Sequence, residues 1–141
     1  MKKYGLDSRQ VVFEITEKQA VQDYCQLVRV LDNYRSQGFK IAIDDVGAGY
    51  NSLKTMIYLK PDFIKLDRSF TQNIDTQIAQ QKLVQLFVQY ASLSNTLVIA
   101  EGVERKEELQ FLRKINVDFA QGYFIGKPSI NLTNRQQYKQ N

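Results

Sequence analysis

An α/β fold of about five parallel strands alternating with helices is what this chain predicts, on three observations. Short β-branched runs alternate with helix-period stretches, the strand-like runs return at intervals of roughly 20 to 35 residues, and nearly every one ends on a chemically active side chain. Those strand-end residues are Glu14, Asp44, Lys65, Glu101 and Gln121. Parallel strands gather the side chains at their C-terminal ends into one mouth, where they can hold metal and polarise water.

The elements follow in order. Val11 to Thr16 is short and β-branched, and from Glu17 the pattern changes to one helix with Ala20, Val21, Tyr24, Leu27, Val28 and Leu31 at helical spacing. Gly38 stops that helix, and Phe39 to Ile43 forms a second strand ending at Asp44-Asp45, ahead of the glycine turn Val46 to Tyr50. A helix over Ser52 to Leu59 is broken by Pro61, and Phe63 to Asp67 is the third strand. Ile74 to Leu93 is helical, with Ile78, Leu83, Leu86, Phe87 and Tyr90 apolar; Leu97 to Ala100 is the fourth strand. Lys106 to Lys114 is helical, and Val117 to Ala120 is the last strand before Gln121-Gly122-Tyr123. Residues 1–130 are expected to form the folded unit, with 131–141 a frayed polar tail.

Length favours an open doubly wound sheet, because a closed eight-stranded barrel needs about 250 residues and the chain has 141. However, no GxGxxG follows the first strand, and the polar residues come from nearly every strand end rather than from one switch point. That distribution favours a partial TIM-like (β/α) barrel.

Composition narrows the chemistry. Hydrophobic residues make up 43% of the chain, enough for a single core. The net charge of +4 comes from Lys and Arg spread along the chain, so no DNA-binding groove is expected. Cys25 is the lone cysteine; it suits a reducing, cytoplasmic setting and is expected to fill the core. No run approaches the ~20 apolar residues of a membrane span, and the amino end lacks a signal-peptide apolar core. Histidine is absent, which removes Ser/His/Asp triads, His-ligated zinc and imidazole catalysis, and leaves hydrolysis to carboxylates, lysine and hard cations.

Each strand-end residue has a plain structural reading. Asp44 and Asp45 are suited to capping the next helix, Lys65 to snorkelling at an edge, and Glu101 and Gln121 to turns before glycine. Convergence changes the weighing, since several acids on one rim need a shared counter-ion, and a divalent cation supplies one. Adjacent carboxylates ahead of a Gly-x-Gly loop can each address a hard cation. An apolar strand setting is expected to lower the Lys65 pKa and aim its amine at a developing anion or attacking water.

The segments FEITE (13–17), GFKIAIDDVGAGYNS (38–52), PDFIKLDRSF (61–70), AEGVE (100–104) and QGYFIGKP (121–128) resemble, in order and separation, the consecutive motifs of the EAL domain. That family comprises bacterial phosphodiesterases that hydrolyse cyclic di-GMP to pGpG on a TIM-like barrel. The resemblance implies Mg²⁺ or Mn²⁺ as cofactor, with Glu14 and Asp44 as metal ligands and Asp45 and Asp67 serving a second cation or its waters. It implies that Lys65 positions or activates water, that Glu101 is a metal-linked catalytic carboxylate, and that Gln121 orders water and substrate alongside Gly122 and Tyr123. Glu17 resembles the glutamate that pins the loop carrying Gly47 and Gly49, which corresponds to the family's DDFGTGY element, associated with metal binding and dimer contacts. Val46 and Ala48 replace its Phe and Thr, which predicts a less firmly held loop.

The Glu-Ala-Leu tripeptide is absent, the nearest string being Glu107-Glu108-Leu109 inside a predicted helix. Its following arginine, a strand asparagine and about three barrel strands are missing with it, so the chain resembles the C-terminal three-fifths of such a domain. The resemblance implies cyclic di-GMP as a partner, and because five strands alone leave two unpaired edges, a second copy or complementing chain is expected as well. The implied activity is cyclic di-GMP hydrolysis once the strands are completed. The alternative is a catalytically inactive module acting in nucleotide binding or protein interaction.

Overall fold

A computed structural model of the chain describes residues 5–20, 23–49 and 51–128. Val21 of the first helical run, Tyr50 of the glycine loop and the predicted tail 131–141 lie outside the described residues. The strands are β1 (Val12–Thr16), β2 (Lys40–Val46), β3 (Phe63–Leu66), β4 (Leu97–Ala100) and β5 (Phe119–Ala120). All neighbours pair in parallel, and the sheet order is the chain order β1-β2-β3-β4-β5. That order settles the choice between the two architectures. Right-handed crossovers between strands that always step in one direction put every connecting helix on the same face, as in a barrel and unlike a doubly wound sheet. The sheet is not closed: β1 and β5 each have one strand neighbour among the described residues.

The helices are α1 (Glu17–Ala20), α2 (Tyr24–Ser36), α3 (Ser52–Leu59), α4 (Arg68–Thr71), α5 (Ile78–Leu93) and α6 (Lys106–Lys114). One side of the sheet is buried against them. Ile41, Ile43, Ile64, Leu66, Val98 and Ala100 pack with Leu31, Met56, Leu59, Val84, Phe87 and Leu112. Strand alternation turns the intervening residues to the other face. Val12, Leu97 and Phe119 there are 40%, 39% and 51% exposed, and the Phe63 and Phe119 rings meet at 6.5 Å across β4.

Several predicted elements need correction. The single helix expected from Glu17 is two, because Asp23 is extended and its carboxylate caps α2 by accepting from the Gln26 N–H. Cys25 is exposed rather than core-filling. The inward stripe of α2 runs through Tyr24, Leu27, Val28 and Leu31, and Cys25 is turned about 100° from it. The helix expected from Ile74 begins at Ile78, although Ile74 itself is fully buried; the last strand is reduced to Phe119–Ala120.

The N-terminal end of the sheet is held by side chains reaching across strands. Asp62 accepts from the Ile41 N–H at 2.9 Å and pairs with Lys40 Nζ at 2.6 Å. Asp118 accepts from the Val98 N–H at 2.8 Å, and Thr96 Oγ1 donates to the Pro61 carbonyl at 2.9 Å. Each contact fixes the register of a strand pair by a bond that a one-residue slip would break.

Candidate active site

Regular strand alternation would point Asp44 and Asp45 to opposite faces. The β2–β3 pairing shifts register between Ile43 and Val46, and Asp45 takes a positive φ of 57°. This irregularity lets both carboxylates reach the same rim. Asp44, Asp45 and Glu101 each offer a carboxylate oxygen within 4.8 Å of the other two. Neither aspartate caps the following helix, whose N-cap is Asn51.

Lys65 stands at the centre of the rim. Its Nζ lies 3.0 Å from Glu14 Oε2, 3.0 Å from Asp44 Oδ1 and 3.0 Å from Glu101 Oε1. These residues come from four adjacent strands or strand ends, so the parallel register alone brings them together. Gln121, just past β5, donates from Nε2 to Glu101 Oε1 at 2.7 Å.

The electrostatics reverse one expectation. Burial alone would lower the Lys65 pKa, but hydrogen bonds to Asp44, Glu101 and Glu14 outweigh it and hold the ammonium above its ordinary value. Lys65 is therefore a firmly charged cation rather than a neutral amine. Glu101 is pushed up chiefly by burial, with the Asp44 and Glu14 charges adding to it; the Lys65 contact works against both. One ammonium shared among three acids fully satisfies the lysine and only partly compensates each acid.

Glu17, 3% exposed at the start of α1, anchors the glycine loop. It accepts from the Asn51 N–H at 2.8 Å, from Ser52 Oγ at 2.6 Å and from the Gly47 N–H at 3.4 Å. A Cβ at Gly49 would lie 2.5 Å from Glu17 Oε1, and one at Gly47, where φ is 102°, would lie 1.9 Å from the Phe70 ring. Glycine is needed at Gly47, whose backbone is left-handed, and the buried Glu17 carboxylate ties the loop.

Asp67 is not one of the acid trio of Asp44, Asp45 and Glu101. Its carboxylate caps α4 by accepting from the Ser69 N–H at 2.9 Å. Burial works to raise its pKa, but the hydrogen bonds from Ser69 and from the Arg68 backbone prevail and lower it. It lines an open cleft of about 560 Å³ with Arg68, Glu101, Gly102, Glu104, Gln121, Gly122, Tyr123 and Lys127. A larger cavity of about 1060 Å³ opens between α5 and α6 near Leu97 and Asp118, away from the acid cluster, and has no part in this chemistry.

The structure adds residues that sequence reasoning passed over. Arg68, next to Asp67 in sequence, and Glu104 form a 3.0 Å ion pair on the cleft wall. Thr71 Oγ1, fully buried, donates to the Glu101 carbonyl and ties α4 to the end of β4. Glu108, 1% exposed, accepts from the backbone N–H groups of Asn73, Glu104 and Arg105 at 2.8, 2.9 and 3.0 Å. Sequence spacing alone marks only its bond to Arg105, the N-cap residue three positions earlier.

A one-directional parallel sheet whose C-terminal rim carries clustered acids around a charged lysine defines a barrel-type α/β domain with a polar site at its strand ends. The EAL domain model matches residues 1–128, and the chain belongs to the EAL domain family. It is 35% identical over 126 residues to the cyclic di-GMP phosphodiesterase PdeF of Escherichia coli, covering 89% of this chain and 17% of that protein. It is 33% identical over 124 residues to the cyclic di-GMP phosphodiesterase NbdA of Pseudomonas aeruginosa, covering 88% of this chain and 16% of that protein. Among solved structures it resembles Klebsiella pneumoniae BlrP1 in a manganese and cyclic di-GMP complex, with a TM-score of 0.86, 34% identity, and coverage of 90% of this chain and 32% of BlrP1. It also resembles a standalone EAL protein of Vibrio cholerae bound to cyclic di-GMP, with a TM-score of 0.85, 32% identity, and coverage of 91% of this chain and 54% of that one. The chain thus spans about a sixth of these two curated relatives and about a third to a half of these solved chains. No helix among the described residues is long and apolar enough to cross a membrane.

Proposed function

We propose that this chain carries the C-terminal part of a metal-dependent phosphodiesterase site that hydrolyses cyclic di-GMP to pGpG in the cytoplasm. One observation carries the reading: Lys65 Nζ 3.0 Å from each of three strand-end carboxylates, two of which also belong to the 4.8 Å acid trio. The donor set fits hard divalent cations, since carboxylate oxygens are what Mg²⁺ and Mn²⁺ prefer. Glu14, Asp44 and Asp45 would hold the metal, with Asp67 holding its waters from the cleft side. Such an ion supplies Lewis-acid stabilisation of phosphoryl oxygens and lowers the pKa of water.

The chain's own groups have separable tasks. Lys65, kept charged, neutralises the acid cluster and can stabilise an oxyanion developing on the phosphate. Glu101, pushed up chiefly by burial, suits removal of a proton from water. Gln121 orients Glu101 through its 2.7 Å bond, and Gly122 and Tyr123 form the adjoining wall for substrate. Glu17, through Gly47 and Asn51, holds the loop that sets Asp45.

Incubating the purified chain with cyclic di-GMP and Mn²⁺ and resolving products by chromatography tests this directly. Formation of pGpG, abolished by Lys65→Met and by chelation, is expected. Binding without turnover would instead favour the inactive nucleotide-binding module.

A further inference from the structure

A charge count around the rim and cleft exposes an imbalance. Glu14, Asp44, Asp45, Asp67, Glu101 and Glu104 contribute six carboxylates, against three cations, Lys65, Arg68 and Lys127. The net of three negative charges would repel a dianionic dinucleotide, and two divalent ions at the acid cluster would leave only one net positive charge to receive it. That local excess would serve the phosphodiester under attack. A cyclic dinucleotide carries a second phosphodiester on the far side of its ring, which needs a partner of its own.

The cations on the cleft wall are not equivalent. Lys65 is committed to three acids and Arg68 to Glu104. Among the described residues Lys127 has no carboxylate within ion-pairing distance; its ammonium stands 5.8 Å from the centroid of the Tyr123 ring, which is itself 63% exposed. A cation–π contact steers a lysine head without neutralising it, so the full charge stays available to an anion. Both residues line the same 560 Å³ cleft as Glu101 and Gln121.

Resting on the proposed hydrolysis of a cyclic dinucleotide, we infer that Lys127, braced by Tyr123, holds the phosphodiester that is not cleaved and so selects for ligands with two phosphodiesters. It acts in binding, with the reacting phosphate left to the acid cluster. A plain solvated lysine would affect all anionic ligands alike.

The test is calorimetric, with the full chain in Ca²⁺, titrating cyclic di-GMP and, separately, linear GpG, which has the same bases and one phosphodiester. Lys127→Gln is expected to weaken cyclic di-GMP binding about tenfold. GpG binding should stay within about twofold of the unsubstituted protein, and Lys127→Arg should restore most of the loss; Lys82→Gln, an exposed position on α5, controls for net charge. Unchanged affinity for cyclic di-GMP, or an equal fall for both ligands, overturns the assignment while leaving the proposed function standing. A native chain that binds neither ligand overturns the proposed function and this inference with it.

Discussion

Replacing Glu17 with glutamine tests whether one buried carboxylate holds the loop that shapes the rim. The native side chain, 3% exposed, accepts three bonds through two oxygens, from Asn51 N–H at 2.8 Å, Ser52 Oγ at 2.6 Å and Gly47 N–H at 3.4 Å. Glutamine is nearly isosteric, so no cavity complicates the comparison. It keeps one acceptor and turns an amide donor toward at least one of the remaining donors. Hydrogen bonds to a charged group contribute about 1.5–3 kcal/mol each, and a buried donor left unsatisfied costs about 1–3 kcal/mol. Ser52 can rotate its hydroxyl toward another acceptor, which recovers part of this, so a net loss of about 2–3 kcal/mol is expected. Urea denaturation followed by circular dichroism should show a lower midpoint at unchanged slope. Mn²⁺ affinity should fall in parallel, because Gly47 sits two residues from Asp45. A midpoint within error of the native value would refute the claim that this carboxylate ties the loop.

Four further outcomes follow from the geometry. Lys65→Met should destabilise the metal-free protein by about 2 kcal/mol, less than the ~3–5 kcal/mol of a fully buried pair because Glu14 is half exposed; added Mn²⁺ should recover much of the loss in a thermal melt. Gly47→Ala forces a Cβ to within 1.9 Å of Phe70 at a φ of 102°, and a cost of at least about 2 kcal/mol should appear in the same denaturation assay. For Glu108, burial raises the pKa but backbone bonds from Asn73, Glu104 and Arg105 prevail and lower it. Its contribution is therefore complete above the ordinary glutamate value near 4.5 and is lost as pH falls through the depressed one, so Glu108→Gln should flatten the acid limb of a stability–pH curve. EDTA should leave the far-ultraviolet spectrum intact, since the core on the helix side of the sheet does not depend on the rim.

The parallel order and the helices at Ser52–Leu59 and Lys106–Lys114 were legible because their apolar spacing is unambiguous and glycine, proline or a charged turn bounds them. The break before α2 was not, since Ala20, Val21, Tyr24 and Leu27 continue one helical period across Asp23 and hide its capping role. Convergence of Glu14, Asp44, Lys65 and Glu101 could be read because each ends a strand in a parallel register. The bulge that brings Asp45 to the same rim could not, as strict alternation puts neighbours on opposite faces. The Lys65 pKa was misjudged for a related reason: burial is visible in a string of apolar residues, while three acids arriving from other strands are not.

The bonds from Asp62, Thr96 and Asp118 sit at the end of the sheet opposite the acid rim. Tasks of folding and of chemistry are therefore assigned to opposite poles, and substitutions at one pole can be made with little disturbance to the other. A designer wishing to fortify this scaffold would work beneath the strands, at Asp62 and Asp118, and leave the mouth untouched.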